Sequence, residues 1–117
     1  MVVTVFRNRL RLEAQQEYSE WIARMRDLAR SMPGYVSHKT FAAEDGERVT
    51  IVEFATEETH RAWATHPQHV EAKKLGRDRF YSEYKIQVCA PQRESAWSRD
   101  GTVDAAASSR ASASASK

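Results

Sequence analysis

The stretch YVSHKTFAAEDGERVTIVEF, residues 35–54, contains two runs rich in β-branched and aromatic residues on either side of a short polar segment. Asp45 and Gly46, within the polar segment, tolerate the positive φ that a tight hairpin requires. The stretch therefore predicts two antiparallel strands, Tyr35–Ala42 and Arg48–Phe54, joined by a hairpin turn.

Helical and extended patterns alternate on both sides of this hairpin, in the order strand, helix, hairpin, helix, strand. This β-α-β-β-α-β order predicts an α+β fold of the ferredoxin-like type, in which a four-stranded antiparallel sheet carries the helices on one face. The supporting positions are the alternation from Val2, the amphipathic helix from Ala14 to Met32 before Pro33, the N-cap Thr56 of a helix reaching about His66, the first-turn residue Pro67 of a helix running to Phe80, and the alternation of Tyr84, Ile86 and Val88.

The strand Arg48–Phe54 is apolar on both of its sides, because Val49 and Ile51 project to one side and Val52 and Phe54 to the other. Helices cover only one face of the predicted sheet, so the other face would leave a contiguous apolar patch in water. We expect a second sheet to cover that patch. The simplest source is an identical subunit, which predicts a homodimer.

Length and composition fit one compact globular domain. The chain has 117 residues, of which 41% are hydrophobic and 29% charged, and a formal net charge of +2. The two signs of charge alternate along the chain, so we expect no nucleic-acid partner, and no apolar run approaches the ~20 residues that cross a membrane. The composition predicts a domain over residues 1–91 and a disordered Ala/Ser-rich tail over residues 92–117.

Cysteine usage and the N-terminal residues predict a cytoplasmic protein. Cys89 is the only cysteine, so no disulfide can form within the chain, and the first residues lack the basic and then apolar layout of a secretory signal. On the last strand, Cys89 is expected to be a small buried hydrophobic residue.

Two histidines follow a tryptophan in the segment WATHPQH, residues 63–69. His66 and His69 are three residues apart, which places both on one face of a helix, as two ligands of a metal would need. No carboxylate or cysteine at a regular interval supplies a third ligand, so we expect no metal. The alternatives are that His66 caps the helix begun by Pro67 and that His69 faces a cleft, where an imidazole can act as a base near neutral pH.

The segments VTVFRNRLR, MPGYVSHKTF, GERVTIVEF and WATHPQH, with the closing GRDRFYSEYKIQVC, resemble the antibiotic biosynthesis monooxygenase family of the dimeric α/β-barrel superfamily. The resemblance covers roughly residues 2–90 and implies the ferredoxin-like fold, a dimeric barrel and a small-molecule site. The superfamily includes cofactor-free oxygenases of aromatic polyketides, quinol oxygenases, haem-degrading enzymes and proteins with no assigned chemistry. The fold alone does not choose among them.

Each branch of the family implies particular residues. The haem-degrading members have an asparagine on the first strand, at the position of Asn8 or Arg7 here, and a tryptophan in the second helical segment, matched by Trp63. Their axial histidine corresponds to Ala72 or Lys73, so we expect no haem and keep haem binding or degradation as an alternative. The cofactor-free members have an asparagine and a tryptophan on the third strand, which correspond to Thr50 and Phe54 here.

The leading hypothesis is a cofactor-independent oxygenase that acts with O₂ on an aromatic polyketide or quinol-type substrate. Removing a proton from a phenol or anthrone gives a carbanion that can itself reduce O₂, so the protein needs a base, donors for the oxyanion and a dry pocket. His69 or His66 is the expected base, with Asn8, Arg77 or Tyr81 as donors. The expected substrate contacts are Trp63, Phe54, Arg77, Tyr81 and Tyr84. A non-catalytic dimer that binds a small molecule is a further alternative.

Overall fold

The computed structural model describes residues 1–101. Its strands form one antiparallel sheet in the order β2-β3-β1-β4, which confirms the predicted α+β, ferredoxin-like arrangement. A 3₁₀ turn precedes the first helix, and a π-helical turn precedes the last strand. In chain order the elements are β1 (Val2–Leu10), the 3₁₀ turn (Leu12–Ala14), α1 (Gln15–Ser31), β2 (Tyr35–Ala42), β3 (Arg48–Phe54), α2 (Glu57–Ala64), α3 (Pro67–Leu75), the π turn (Gly76–Phe80) and β4 (Tyr81–Cys89).

The β2–β3 hairpin has the strand bounds that its sequence predicts. Gly46 adopts a φ of 91° in the turn, a conformation that a residue without a side chain enters at little cost. The backbone N–H of Ala43 donates to the carbonyl oxygen of Glu47 at 2.8 Å, which closes the turn. Further along the hairpin, the hydroxyl groups of Thr40 and Thr50 share a hydrogen bond of 2.8 Å.

Two side-chain caps divide the second helical segment. The Thr56 hydroxyl accepts from the backbone N–H of Thr59 at 3.1 Å, and the Thr59 hydroxyl accepts from that of Thr56 at 3.2 Å, which is a capping box. The helix α2 ends at Ala64, before the predicted end at about His66, because His66 begins the next helix. Nδ1 of His66 accepts from the backbone N–H of Gln68 at 3.1 Å, which confirms the predicted cap.

Helices cover one face of the sheet and hold it through two apolar clusters. The first consists of Ala29, Val52, Phe54 and Trp63, and the second of Ala14, Tyr18 and Phe80. The same face of the sheet also carries buried polar side chains, Thr4, Asn8 and Thr50. Buried polar groups need hydrogen-bond partners, and an apolar core supplies few of them. Three such groups on one face of the sheet therefore suggest that a functional site lies there.

The opposite face of the sheet carries an apolar strip on its two central strands. Val3 and Val5 on β1, and Val49 and Ile51 on β3, are half-buried there, and Phe41 on β2 is 47% exposed. Val5 lies directly opposite Ile51 in the strand pairing, so the strip is continuous across the two strands. It is the apolar face that the composition of β3 predicts.

The prediction that Cys89 is buried was wrong, because its side chain is exposed. Cys89 is the last residue of β4, an edge strand, and pairs with Val3. Register therefore places it on the face opposite the helices, and periodicity in the sequence did not reveal whether that face is covered within one chain.

Residues 92–101 form no helix or strand, and Trp97 is 75% exposed. The rest of the predicted Ala/Ser-rich tail lies outside the described residues, so the domain boundary at residue 91 stays a prediction. Among residues 1–101, no helix is both long and apolar enough to cross a membrane.

Candidate functional site

A cavity of about 150 Å³ lies between the sheet and the helices, with walls from both apolar clusters. Its lining combines apolar side chains with the imidazoles of His38, His60 and His69. Ile86 and Val88 also line it, although they are 43% and 60% exposed, so the cavity opens along β4. Engineered apolar cavities of about this volume hold one benzene ring, so this one suits a single aromatic ring.

His69, on α3, has its tautomer determined by the backbone. Its Nδ1 lies 3.1 Å from the carbonyl oxygen of Ala64, and a carbonyl oxygen only accepts, so Nδ1 carries the hydrogen. Nε2 of the neutral ring therefore carries the lone pair. Burial, with a smaller contribution from Lys73, lowers the pKa of His69 from 6.5 to about 4, so the imidazole is neutral at pH 7.

Trp63, on α2, is both a core residue and a wall of the cavity. Its ring stacks on that of Phe54 with centroids 5.4 Å apart, and it contacts the His69 ring at 4.2 Å. The indole Nε1 is buried and has no hydrogen-bond partner among the described residues. Phe54 is fully buried behind Trp63, so it supports the wall and does not form it.

Two histidines of the cavity were missed by reasoning from sequence. Nε2 of His60 and the hydroxyl of Thr4 share a buried hydrogen bond of 2.6 Å, and burial lowers the pKa of both His60 and His38. His60 precedes Trp63 by about one helical turn, so its spacing was a usable signal. His38 lies opposite Val52 in the hairpin, which places it on the inner face of β2.

Tyr81, at the start of β4, forms a second aromatic wall. Its ring meets those of Phe6 at 5.3 Å and Tyr18 at 5.7 Å, both edge-on. Burial, together with the neighbouring Tyr18 phenol, raises the pKa of Tyr81 far above its ordinary value, so at pH 7 Tyr81 is a donor and not a base. Gly76 makes room for this ring, since a Cβ at that position would lie 2.5 Å from Cε2 of Tyr81.

The remaining predicted site residues lie away from the cavity lining. His66 is occupied as the cap of α3, and Arg77 is exposed on the π turn. Tyr84 is 42% exposed and packs edge-on against Tyr81 at 5.9 Å, outside the lining. The structure therefore brings together His69, Trp63 and Tyr81 but not His66 or Arg77.

Asn8, the predicted donor, lies behind the lining, beside Arg48 and Tyr18, which reasoning from the sequence did not single out. It is 1% exposed, opposite Arg48 in the pairing of β1 with β3. The guanidinium carbon of Arg48 lies 5.5 Å from the ring centroid of Tyr18. Thr50 and Tyr81 lie between these side chains and the cavity. Both line the cavity, and both are close enough to the Tyr18 hydroxyl to counteract the rise that burial causes in the pKa of Tyr18.

Residues 1–101 contain no cluster of metal ligands, and the cavity lining departs from the haem-degrading pattern at the axial histidine. Within residues 1–101, no three histidine, cysteine or acidic side chains are placed to hold a metal. Small-molecule and cofactor pockets typically enclose roughly 300–1,000 Å³, and this cavity encloses about 150 Å³ before it opens along β4. Both positions that the resemblance assigns to an axial histidine, Ala72 and Lys73, line the cavity without an imidazole.

Comparison with known proteins adds the family. The antibiotic biosynthesis monooxygenase pattern matches residues 1–75. The uncharacterized protein YqjZ of Bacillus subtilis is 29% identical over 77 residues, which cover 66% of this chain and 68% of YqjZ.

Two solved structures show the same fold at low sequence identity. Rv0793 from Mycobacterium tuberculosis has a TM-score of 0.72 at 18% identity, over 81% of this chain and 98% of its own. SnoaB, a cofactor-independent oxygenase from Streptomyces nogalater, has a TM-score of 0.67 at 19% identity, over 79% of this chain and 93% of its own. Because the family pattern extends over more than half of the chain, the protein belongs to the antibiotic biosynthesis monooxygenase family.

Proposed function

We propose that the protein is a cofactor-independent oxygenase that acts with O₂ on an aromatic polyketide or quinol-type substrate. The observation that carries the proposal is His69, a half-buried neutral imidazole whose Nε2 lone pair is available at the wall of a largely apolar cavity. Membership of the family, and likeness to SnoaB, support the same class of reaction.

The reaction begins with proton transfer to His69. Nε2 takes a proton from an activated methylene or phenol, which leaves an electron-rich carbanion. The carbanion passes one electron to O₂, and the resulting substrate radical and superoxide combine to form a peroxide anion. The imidazolium returns its proton to that anion, and for a methylene substrate the peroxide loses water to leave a carbonyl. One CH₂ group and one O₂ thus become one C=O group and one water, with every electron supplied by the substrate.

The low pKa of His69 determines when this proton transfer is favourable. A pKa of about 4 makes the imidazole a weak base in the cavity without ligand. The shift from its ordinary value corresponds to roughly 3 kcal/mol. A substrate anion formed beside the imidazolium offsets this cost, because opposite charges within about 4–6 Å favour both charged forms. His69 therefore stays neutral until the substrate that it deprotonates is in place.

Donors and cavity size set how a substrate would lie. The buried Nε1 of Trp63 and the protonated phenol of Tyr81 are donors for a developing oxyanion. One ring of the substrate fills the cavity. Further rings of a polycyclic substrate would lie along Ile86 and Val88, where the cavity opens.

The test of this function is oxygen consumption by the purified protein with a panel of anthrones and hydroquinones. We expect substrate-dependent uptake of O₂ that needs no added flavin or metal and persists in the presence of EDTA. Saturable binding of the same compounds without oxygen uptake would instead favour a non-catalytic protein that binds small molecules.

We also propose a homodimer in which a second copy covers the apolar strip of Val3, Val5, Phe41, Val49 and Ile51. The strip is flanked by exposed ion pairs, Arg7–Glu47 at 2.9 Å and Arg9–Asp45 at 2.9 Å, so an apolar centre has a charged rim, as interfaces commonly do. Symmetric pairing of this face with itself is the simplest closed arrangement.

The predicted dimer is tested by sedimentation at micromolar concentration. Ile51→Lys, which places a charge in the centre of the strip, is expected to shift the protein from dimer to monomer. Leu12→Lys is the matched control, because Leu12 is 87% exposed outside the strip, and it is expected to leave the dimer intact. A monomeric wild type would contradict the proposal.

Haem is the second candidate ligand, since Nε2 of His69 is chemically able to bind iron. Because the cavity is small, we expect no tight haem binding. The measurement is a haem titration of wild type, His66→Ala and His69→Ala, followed in the Soret region. Weak binding insensitive to both substitutions is the expected result. A stoichiometric, saturable band that is lost in His69→Ala would overturn it.

A further inference from the structure

We propose that Asn8, Tyr18 and Arg48, together called the polar cluster, form a subsite for an anionic oxygen of the ligand, so that the cavity selects acidic aromatic molecules. The proposal deepens the proposed function and rests on the cavity being the ligand site. It assigns the orientation of the substrate, with its anionic oxygen at the polar cluster and its acidic hydrogen toward His69.

The first observation is that the polar cluster contains buried groups without partners. Asn8 is 1% exposed, and neither its amide nitrogen nor its amide oxygen makes a hydrogen bond within residues 1–101. The Tyr18 hydroxyl is also buried and makes no hydrogen bond of good geometry there, although the side chains of Tyr81, Thr50 and Arg48 lie close enough to counteract the rise that burial causes in the pKa of Tyr18. Nε of Arg48 is buried and unpartnered as well. A buried polar group without a hydrogen-bond partner is destabilising, so several in one place indicate that a bound ligand supplies the missing partner.

The second observation is charge. Arg48 is half-buried and forms no ion pair with a carboxylate of the described residues. By contrast, Arg7, Arg9 and Arg79 are each paired with a carboxylate on the surface. A partly buried guanidinium without an anion is unfavourable, and a carboxylate or phenolate oxygen is the group that its donors fit best.

The donor types in the polar cluster agree with that ligand chemistry. Arg48 is only a donor, and the Asn8 amide nitrogen and the Tyr18 hydroxyl add two more donors. Burial raises the pKa of Tyr18, so the phenol keeps its hydrogen for donation, while Arg48 acts in the opposite direction. Three donors with one positive charge bind an oxyanion, and Asn8 Oδ1 remains as an acceptor for a neighbouring hydroxyl.

The polar cluster is within reach of a ligand in the cavity. Thr50 lines the cavity, and Arg48 lies two residues before it on the same face of β3, a separation of about 6–7 Å. The Tyr18 and Tyr81 rings are 5.7 Å apart, and Tyr81 lines the cavity. The polar cluster therefore lies directly behind the part of the cavity wall that Thr50 and Tyr81 form, and a ring substituent would reach it by displacing these two side chains.

Lys73 is the competing cation, because it lines the cavity and is exposed. An anion held by Lys73 would sit near His69, whose pKa Lys73 lowers. If Lys73 binds the anion, replacing Lys73 removes the preference for anions; if Arg48 binds it, replacing Arg48 does. Arg48 has buried donors beside it, whereas Lys73 can be solvated by water, so the structure favours Arg48.

The experiment measures the affinity for two probes of one ring each, 4-hydroxybenzoate and its neutral isostere 4-hydroxybenzamide, by calorimetry at pH 7. A charge-assisted hydrogen bond contributes about 1.5–3 kcal/mol, so we expect wild type to bind the carboxylate about 10-fold or more tighter than the amide. Arg48→Met is expected to remove that preference while changing the affinity for the amide less than about 2-fold. Arg48→Lys, which keeps the positive charge, is expected to retain part of the preference for the carboxylate. Tyr18→Phe should weaken carboxylate binding alone.

Lys73→Met is the matched control and is expected to keep the preference. Thermal melts of each variant establish that it is folded, and 4-nitrophenolate in place of the carboxylate tells whether a phenolate is accepted equally. Equal affinity of wild type for both benzoic probes, binding of neither, or a preference that survives Arg48→Met and disappears in Lys73→Met would each overturn the proposal. Because the readout is binding, a preference lost in Arg48→Met without any oxygen uptake would support the subsite and count against the oxygenase function alone.

Discussion

Replacing His69 with alanine is expected to slow oxygen-dependent turnover by about 10²-fold or more, the usual effect of losing a positioned general base. The physical reason is that Nε2 of His69 is an imidazole lone pair at the cavity whose tautomer the backbone determines. His69→Asn is a sharper variant, because its amide can still donate to the carbonyl oxygen of Ala64 but has no basic nitrogen. Both variants are expected to show the same loss in initial rates of O₂ consumption.

His66→Ala is the matched control for this prediction. It removes an imidazole three residues away and a helix cap, which costs about 0.5–2 kcal/mol of stability, yet it leaves the cavity lining intact. We expect its turnover to remain close to that of wild type. Unchanged turnover in His69→Ala would exclude His69 as the base and direct attention to His60 and His38, the other imidazoles of the cavity lining.

The pH dependence of turnover gives an independent check on the same residue. The reaction needs neutral His69, and a group is neutral above its pKa, so activity is lost as the pH falls through about 4 and not through 6.5. The acid limb of kcat/KM, which reports on the enzyme without substrate, is therefore expected near pH 4. A limb at the ordinary pKa of histidine, absent in His69→Ala, would show that the imidazole is exposed to water.

Phe54→Ala is expected to lower the free energy of unfolding by about 3–5 kcal/mol, at the upper end of single substitutions in protein cores. Phe54 is fully buried, stacks on Trp63 at 5.4 Å and meets Tyr35 edge-on at 6.2 Å. Its removal leaves a cavity between β3 and α2 and takes away the support of the Trp63 ring. Denaturation in urea at fixed protein concentration measures the change, with the slope compared between variants to detect a change in the unfolded state.

Leu12→Ala is the control for stability, because Leu12 is 87% exposed and its loss is expected to change the free energy of unfolding by no more than about 0.5 kcal/mol. A change below about 1 kcal/mol in Phe54→Ala would mean that the two flanking aromatic rings collapse into the space, and that the Phe54 ring does not hold α2 on the sheet.

Much of the fold could be predicted from the chain because its signals are local. The alternation in β2 and β3, the turn at Gly46 and the caps at Thr56 and His66 each depend on residues a few positions apart. The π turn was not predicted. An expected α-helix running on to Phe80 is interrupted after Leu75, and the change to i→i+5 hydrogen bonds rotates the residues that follow, so the direction of Arg77 could not be deduced.

The site was less predictable because its parts are distant in sequence. His69 and Trp63 lie on neighbouring helices, and the spacing of WATHPQH was enough to identify them. Tyr18 and Arg48 come from α1 and β3 and meet only through the packing of a helix on the sheet. Asn8 was identified from the sequence, and searching β1 and β3 for further polar residues on the core side would also have found Thr4 and Thr50, since each is buried between apolar neighbours along its strand.

The volume of the cavity is set partly from outside its own lining. Gly76 is not among the residues that line the cavity. The Tyr81 ring nevertheless occupies its position in the cavity wall because Gly76 has no side chain. A larger residue at position 76 would displace the Tyr81 ring. The shape of one cavity wall would then change, although every residue that contacts a ligand stayed the same. The size of this cavity therefore depends in part on a residue that no ligand in it would contact, and a comparison limited to the lining residues would omit Gly76.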